Sequence, residues 1–316
     1  MLSLLFVLAG VAAGMRLSAP LIKVERFSGR ALDALLLCLV FSTSLTFGLD
    51  PNVSRSLGSL GLKSLLSAVL SIAGSVCATA LWGRAVKCRA ASTPEDNGSH
   101  GTGDRAPSLS PRALSMAVLT SAALGWALGL ALSPSAAGMS VWCGAASTGS
   151  LWTLLVLIGY DLGKSRVWRG MREYGILAFT LPLAIAGGTL AGSACAGLLT
   201  GVPFGQALSA GSGFGWYSMA GATALRQAGA ETGAYVFLSN LWRELLTVAL
   251  VPFLPGTAHP ALGAAMGGAT AMDSTLPAIK RSLGDEAASW GLISGTTLSA
   301  LSPLALSLFL RMCART

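Results

Sequence analysis

The chain has 316 residues, 53% hydrophobic and only 11% charged, with a mean hydropathy of +0.67. Soluble globular proteins carry about 25% charged residues, so this chain lacks the charge to cover a water-exposed surface, and a soluble enzyme is excluded. The net charge of +8 would suggest nucleic acid in a soluble protein, but no basic face with interleaved aromatics is present, and basic loops that orient a membrane protein account for it.

The apolar stretches are continuous runs long enough for helices to cross a hydrocarbon core, which takes about 20 residues. A transmembrane β-barrel would show alternating segments of about 10 residues instead. The first run is Leu2 to Met15. No Lys or Arg precedes it, so it makes a poor signal peptide and reads as a short first helix with its N-terminus outside. The second span is Ala31 to Leu49, closed by Asp50-Pro51-Asn52, and the third is Leu62 to Leu81. A polar linker from Arg84 to Arg112, rich in Ser, Gly, Pro and charge, reads as mobile. The fourth to sixth spans are Ala113 to Leu132, Met139 to Tyr160 and Tyr174 to Leu199.

Basic residues test this layout. Arg16 to Arg30 carries four, Arg84 to Arg112 five and Lys164 to Arg172 four, while the intervening connections are nearly bare. Basic loops belong in the cytoplasm, which puts both termini outside.

The texture changes after residue 200. Phe204 to Ala228 is too glycine-rich for a plain helix, through Gly211, Gly213 and Gly215 beside Trp216 and Tyr217. Gly233 to Phe253 is apolar but holds Asn240, Arg243 and Glu244. Ala261 to Ile279 is again glycine-rich, with Gly267, Gly268 and Asp273, and Trp290 to Leu310 is the last span. The expected fold is all-α: eight transmembrane helices plus two interrupted segments, which either re-enter, giving eight crossings, or cross, giving ten. Residues 1–199 form a six-helix bundle with the polar loop at 84–112, and residues 200–316 form a transport unit. Internal repeats are expected. Gly10-x-x-x-Gly14 with Pro20 is echoed by Gly125-x-x-x-Gly129 with Pro134, as in two three-helix units of opposite orientation, and Gly211–Ser218 is echoed by Gly267–Ser274. Paired interrupted segments mark a transporter's binding site, because broken backbone offers N–H dipoles and carbonyls to a solute.

A charge at the bilayer centre costs at least about 2.5–3.5 kcal/mol on insertion scales, so such residues face a wet cavity or one another. Asn240 and Glu244 share a helix face with Arg243 adjacent. Neighbours in sequence point about 100° apart, so Arg243 and Glu244 pair poorly with each other. Glu244 is the leading candidate, and Arg243 orients it, edges the cavity or links helices. Asp273 with Ser274 suits a cation or proton site, or a helix cap. Asp50 and Asp161 either act directly or mark the interface. Tyr217 and Trp216 line the cavity at the first break or join an interfacial aromatic belt, and Ser218 beside them is a candidate binding residue. The six cysteines form no C-x-x-C, and two histidines are too few for a metal site; no cofactor is expected.

With these residues in view, the chain resembles the LysO lysine exporter family. The likeness is carried by Ser212-Gly-Phe-Gly-Trp-Tyr-Ser218, Asn240-Leu-Trp-Arg-Glu244 and Gly268-Ala-Thr-Ala-Met-Asp-Ser-Thr-Leu-Pro277. It is specific over roughly residues 200–280 and rests on span layout upstream. The resemblance implies an inner-membrane exporter of L-lysine and its analogue thialysine, with essential acids inside the membrane. Glu244 matches the family's motif glutamate; the acid of the N-terminal half falls on Asp50 or Asp161. Protons would be the coupling partner, and a homo-oligomer is compatible with the sequence. A cation/proton antiporter, or an exporter of another amino acid, would share these features.

Overall fold

In hydrocarbon every backbone N–H and C=O must be satisfied within the chain, and a helix does this locally. The computed structural model describes residues 2–16, 22–49, 51–85, 111–132, 139–164, 177–254 and 259–313. Among these residues the structure is all-helical. In chain order the helices are α1 (Leu2–Arg16), α2 (Ile22–Leu49), α3 (Pro51–Ala85), α4 (Pro111–Leu132), α5 (Met139–Lys164), α6 (Leu177–Thr200), α7 (Phe204–Ser212), α8 (Tyr217–Leu250), α9 (Ala261–Gly267) and α10 (Leu276–Cys313). Most of the expected polar linker lies outside the described residues. Five spans, Leu60–Arg84, Val141–Tyr160, Phe179–Thr200, Tyr217–Phe253 and Leu276–Cys313, are long and apolar enough to cross a membrane.

Helix ends follow local chemistry. Both α3 and α4 open on proline, at Pro51 and Pro111, where the missing N–H has no intrahelical partner to lose. Outward apolar side chains such as Leu62, Trp142, Leu198 and Leu304 are more than two-thirds exposed, as lipid contact requires.

In the first half, α1 packs on α5, α2 on α4 and α5, and α3 on α6. Close backbone approach sets the third pairing: a Cβ on Gly74 would strike the Gly188 carbonyl, and one on Gly188 would strike the Gly74 carbonyl. Small residues at such crossings are how membrane helices gain packing without a hydrophobic drive. The α1 and α4 glycines act alike, with Gly10 against Gly159 of α5 and Gly129 against Gly48 of α2.

The second half is built from two similar pieces. Each begins with a short helix, breaks, resumes as a helix, turns at a glycine and ends in a long helix. The turns are Gly229 (φ 86, ψ 178) and Gly284 (φ 86, ψ −173). In the second piece α9 lies antiparallel to the start of α10: Gly263 faces Ile279 and Leu283, and Gly267 faces Thr275 and Ile279. In the first, Gly205 of α7 meets Cys313 while Ser212 accepts a bond from Ser302. Ala207 and Ala210 of α7 share a core with Ala220 and Ala224 of α8 and with Leu306 and Leu310. The chain therefore folds back at both breaks.

Candidate functional site

The first break spans residues 213–216. Phe214 has a positive φ of 49°, and Gly215 follows at 99°. Turn bonds hold it: Phe214 N–H to the Gly211 carbonyl (3.0 Å) and Trp216 N–H to the Gly213 carbonyl (2.8 Å). The second break begins at Gly268 (φ 62, ψ −124), continues as a 3-10 turn and ends at Asp273. There the Ser274 N–H donates to Asp273 Oδ1 at 2.7 Å.

The two tips touch. The Ala269 N–H donates to the Phe214 carbonyl at 2.8 Å. A Cβ on Gly268 would land on that same carbonyl, and its positive φ already disfavours any side chain. Two interrupted segments thus meet backbone to backbone.

One helix binds both tips. Asn240 Oδ1 accepts from the Gly215 N–H at 2.7 Å, and its Nδ2 donates to the Ala210 carbonyl at 3.0 Å. One turn on, Arg243 donates through Nε to the Met266 carbonyl (3.1 Å) and through its terminal nitrogens to the Ala265 carbonyl (2.9 Å) and Thr189 Oγ1 (3.1 Å). Thr247 adds a bond to the Met266 carbonyl at 2.9 Å. Arg243 is 2% exposed, and these bonds tie its guanidinium to the end of α9. Buried unsatisfied carbonyls cost on the order of 1–3 kcal/mol each. Asn240 and Arg243 remove that cost where the helices break.

Glu244 points elsewhere. It is buried, and its Oε2 has no hydrogen-bond partner among the described residues. Ser274 faces the Glu244 carboxyl, and Asp273 and Tyr217 lie within its electrostatic reach. The Tyr217 ring packs edge-on against Phe237, centroids 5.5 Å apart. Ser218 is exposed. The site therefore gathers Glu244, Asp273, Ser274 and Tyr217, at the junction of both breaks. Among the glycines expected to shape the breaks, Gly211 lies on Ser193, Gly213 on Asn240 and Gly267 on Thr275. Asp50, and the side chain of Asp161, lie outside the described residues. Among the described residues no group of three or more His, Cys, Asp or Glu could hold a metal.

Sequence reasoning missed Asp33. It is 4% exposed on α2, and its Oδ1 accepts from Arg281 Nε at 3.1 Å. A lone carboxylate at the start of an apolar span was the available signal; its partner, 248 positions away, gave none.

Five helices long and apolar enough to cross a membrane mark a multi-pass membrane protein, and within it two backbone breaks meet beside a buried carboxylate. A family model described as Lysine exporter LysO matches residues 119–310, more than half of the chain. The chain belongs to the LysO lysine exporter family. It is similar to the lysine exporter LysO of Escherichia coli K12, 30% identical over 166 residues, which is 52% of this chain and 54% of that one. It is also similar to a Haemophilus influenzae protein named "Putative lysine exporter", 34% identical over 122 residues, 38% of this chain and 62% of that one. The match with the first relative thus spans only about half of either protein. No solved structure matches.

Proposed function

We propose that this protein exports L-lysine, and its analogue thialysine, across the inner membrane, and that Glu244 carries the cation. One observation supports this most: a buried Glu244 oxygen with no partner among the described residues, beside Asp273 and Ser274, where two broken helices meet. A buried carboxylate costs several kcal/mol unless something compensates it, and an ammonium or a proton does so. The breaks supply backbone dipoles for the substrate's own carboxylate.

The layout behind this reading has eight crossings and two re-entrant hairpins, α7 with residues 217–228 and α9 with residues 276–283. The fold-back contacts support re-entry over a straight crossing. Residues 1–199 form a scaffold of two inverted three-helix units, supported by matching pairings: α1 on α5 mirrors α4 on α2, and α3 meets α6. Residues 200–316 form the transport unit. The basic loops lie in the cytoplasm and both termini outside.

Moving one positive charge out against a negative interior costs about 2.3 kcal/mol per 100 mV. A proton entering per lysine leaving cancels that charge movement, and Glu244, with Asp273, alternates between the two. In cells lacking other lysine exporters and preloaded with a lysine dipeptide, labelled lysine should leave in the wild type, and Glu244→Gln should lower efflux by at least about tenfold at equal expression. Undiminished efflux in that variant refutes the role of Glu244. Absence of efflux in well-expressed wild type refutes lysine as the substrate, and competition by sodium, ornithine or arginine then identifies the cation.

A further inference from the structure

Packing divides the helices into two sets, and the division does not follow chain order. In the first set α1, α2, α4 and α5 hold one another. Gly10 of α1 lies on Gly159 of α5, and Gly125 and Gly129 of α4 lie on Phe41 and Gly48 of α2. Thr43 of α2 and Ser147 of α5 share a hydrogen bond at 2.9 Å. In the second set α3 and α6 join the two hairpins. Gly74 and Gly192 bring the backbones of α3 and α6 together, and Ser71 and Ser193 share a bond at 2.7 Å. This pair then grips the second break and its partner helix. Ser75 of α3 donates to the Ala265 carbonyl at 2.8 Å, and Thr189 of α6 accepts from Arg243 at 3.1 Å. Trp82 of α3 and Leu181 and Ile185 of α6 share a core with Phe214, Ala269 and Trp290. In each three-helix unit of the first half, the third helix therefore packs with the second half.

The seam between the sets is different in kind. Among the described residues no glycine brings the backbone of one set against the other. Large side chains meet there instead. Val11 and Leu155 share a cluster with Met272 and Leu292, and Leu36 and Val118 share one with Val248 and Ala278. The Trp126 ring lies 5.9 Å from that of Trp242, and Asp33 meets Arg281 at 3.1 Å. Interlocked glycine backbones can shift only by clashing or by opening voids. Apolar side chains gain no hydrophobic drive from one another in lipid, so a surface made of them is the easier one to slip. No helix is common to both sets: the chain passes between them at residue 50, within 86–110 and within 165–176. The carboxylates sit beside this seam. Val248, one turn beyond Glu244 on the same face, and Met272, next before Asp273, both pack across it.

We propose that α3 and α6 to α10 move as one body against α1, α2, α4 and α5, and that slip at this seam turns Glu244 and Asp273 from one side of the membrane to the other. This rests on the export reading above. It draws the moving boundary inside residues 1–199: α3 and α6 travel with the site, and the other four helices are what it moves against.

The test links helices in pairs, in a background with the native cysteines replaced. Ile72→Cys with Leu246→Cys joins α3 to α8 within one apolar cluster. Leu155→Cys with Leu292→Cys joins α5 to α10 across the seam. Each pair is bridged by a short reducible thiol cross-linker, and lysine efflux is compared with that of the same protein before linking. The α3–α8 link should leave efflux unchanged. The α5–α10 link should abolish it, and reduction should restore it. Loss of efflux on linking α3 to α8 overturns the boundary, and full efflux with α5 linked to α10 overturns movement at the seam. Spin-label distances give a readout that needs no transport, from the lipid-facing positions Leu62 of α3, Trp142 of α5 and Leu304 of α10. With each changed to cysteine, the Leu62–Leu304 pair should hold one distance in every condition. The Trp142–Leu304 pair should show two, in proportions that change with lysine or pH. One unchanged distance in both pairs, with lysine present or absent and at acid and alkaline pH, overturns the movement. Two distances across the seam together with no lysine efflux from the unlinked proteins keep the movement and show that the export reading has failed instead.

Discussion

Arg243 offers the sharpest separation between a residue that touches the solute and one that builds the site. Its guanidinium ends on two backbone carbonyls of the second break, Ala265 and Met266, and on Thr189, at 2.9–3.1 Å. Arg243→Lys keeps the charge but replaces a planar fork by a single nitrogen, which can hold about one of these three partners. Each lost bond to a charged donor is worth about 1.5–3 kcal/mol, so two lost bonds amount to about 3 kcal/mol at the lower end of that range. At about 2–4 °C per kcal/mol, the expected fall in melting temperature is about 6–12 °C. Heating in detergent followed by size-exclusion chromatography measures it. Efflux at a permissive temperature should retain its half-saturating lysine concentration. A melting temperature within about 2 °C of wild type, with a raised half-saturating concentration, would refute the reasoning and return Arg243 to the solute.

Two further outcomes are expected. Gly268→Ala forces a side chain into positive φ and onto the Phe214 carbonyl. It should cost about 1–3 kcal/mol for the backbone alone and lower the melting temperature, and an unchanged value would mean that the tips do not touch. His259, in the connection before α9, is held below the ordinary histidine pKa by burial, with Glu286 opposing, and its Nδ1 accepts the Ala261 N–H at 3.2 Å. The folded pKa is depressed, so this group's contribution to stability is present above about 6.5 and is lost as pH falls through the lower folded value. Thermal stability should fall from pH 7.5 toward 5.5, and His259→Gln should flatten that slope; an equal slope in both proteins would count against it.

The helices were legible because hydrocarbon imposes one rule everywhere, that backbone bonds close locally. Their ends were less so. Hydropathy placed the start of the second span at Ala31 and of the third at Leu62, yet the helices begin at Ile22 and Pro51. Lys23, Arg26, Asn52 and Arg55 are helix formers or tolerated polar residues outside the apolar window, and hydropathy measures lipid contact, not helicity. The breaks were legible as glycine clusters. That Asn240 and Arg243 bind backbone was not, since a buried polar group can serve a solute or an orphan carbonyl, and only the position of the hairpin tips separates the two. Asp33 was hidden for a related reason. Its meaning depends on Arg281, and nothing local links an acid on one helix to a base on a distant hairpin.

The contact between Phe214 and Ala269 has a consequence for the cell and not only for the fold. If the hairpins enter from opposite faces, the barrier between cytoplasm and exterior narrows at this point to the thickness of two touching backbones. Such a septum holds only while both tips stay in place. Either hairpin can withdraw alone without opening a through-path, but withdrawal of both together would short-circuit the membrane potential. Asn240 is tied to one segment and Arg243 to the other through the same helix, so in that arrangement losing both together would break every one of these bonds.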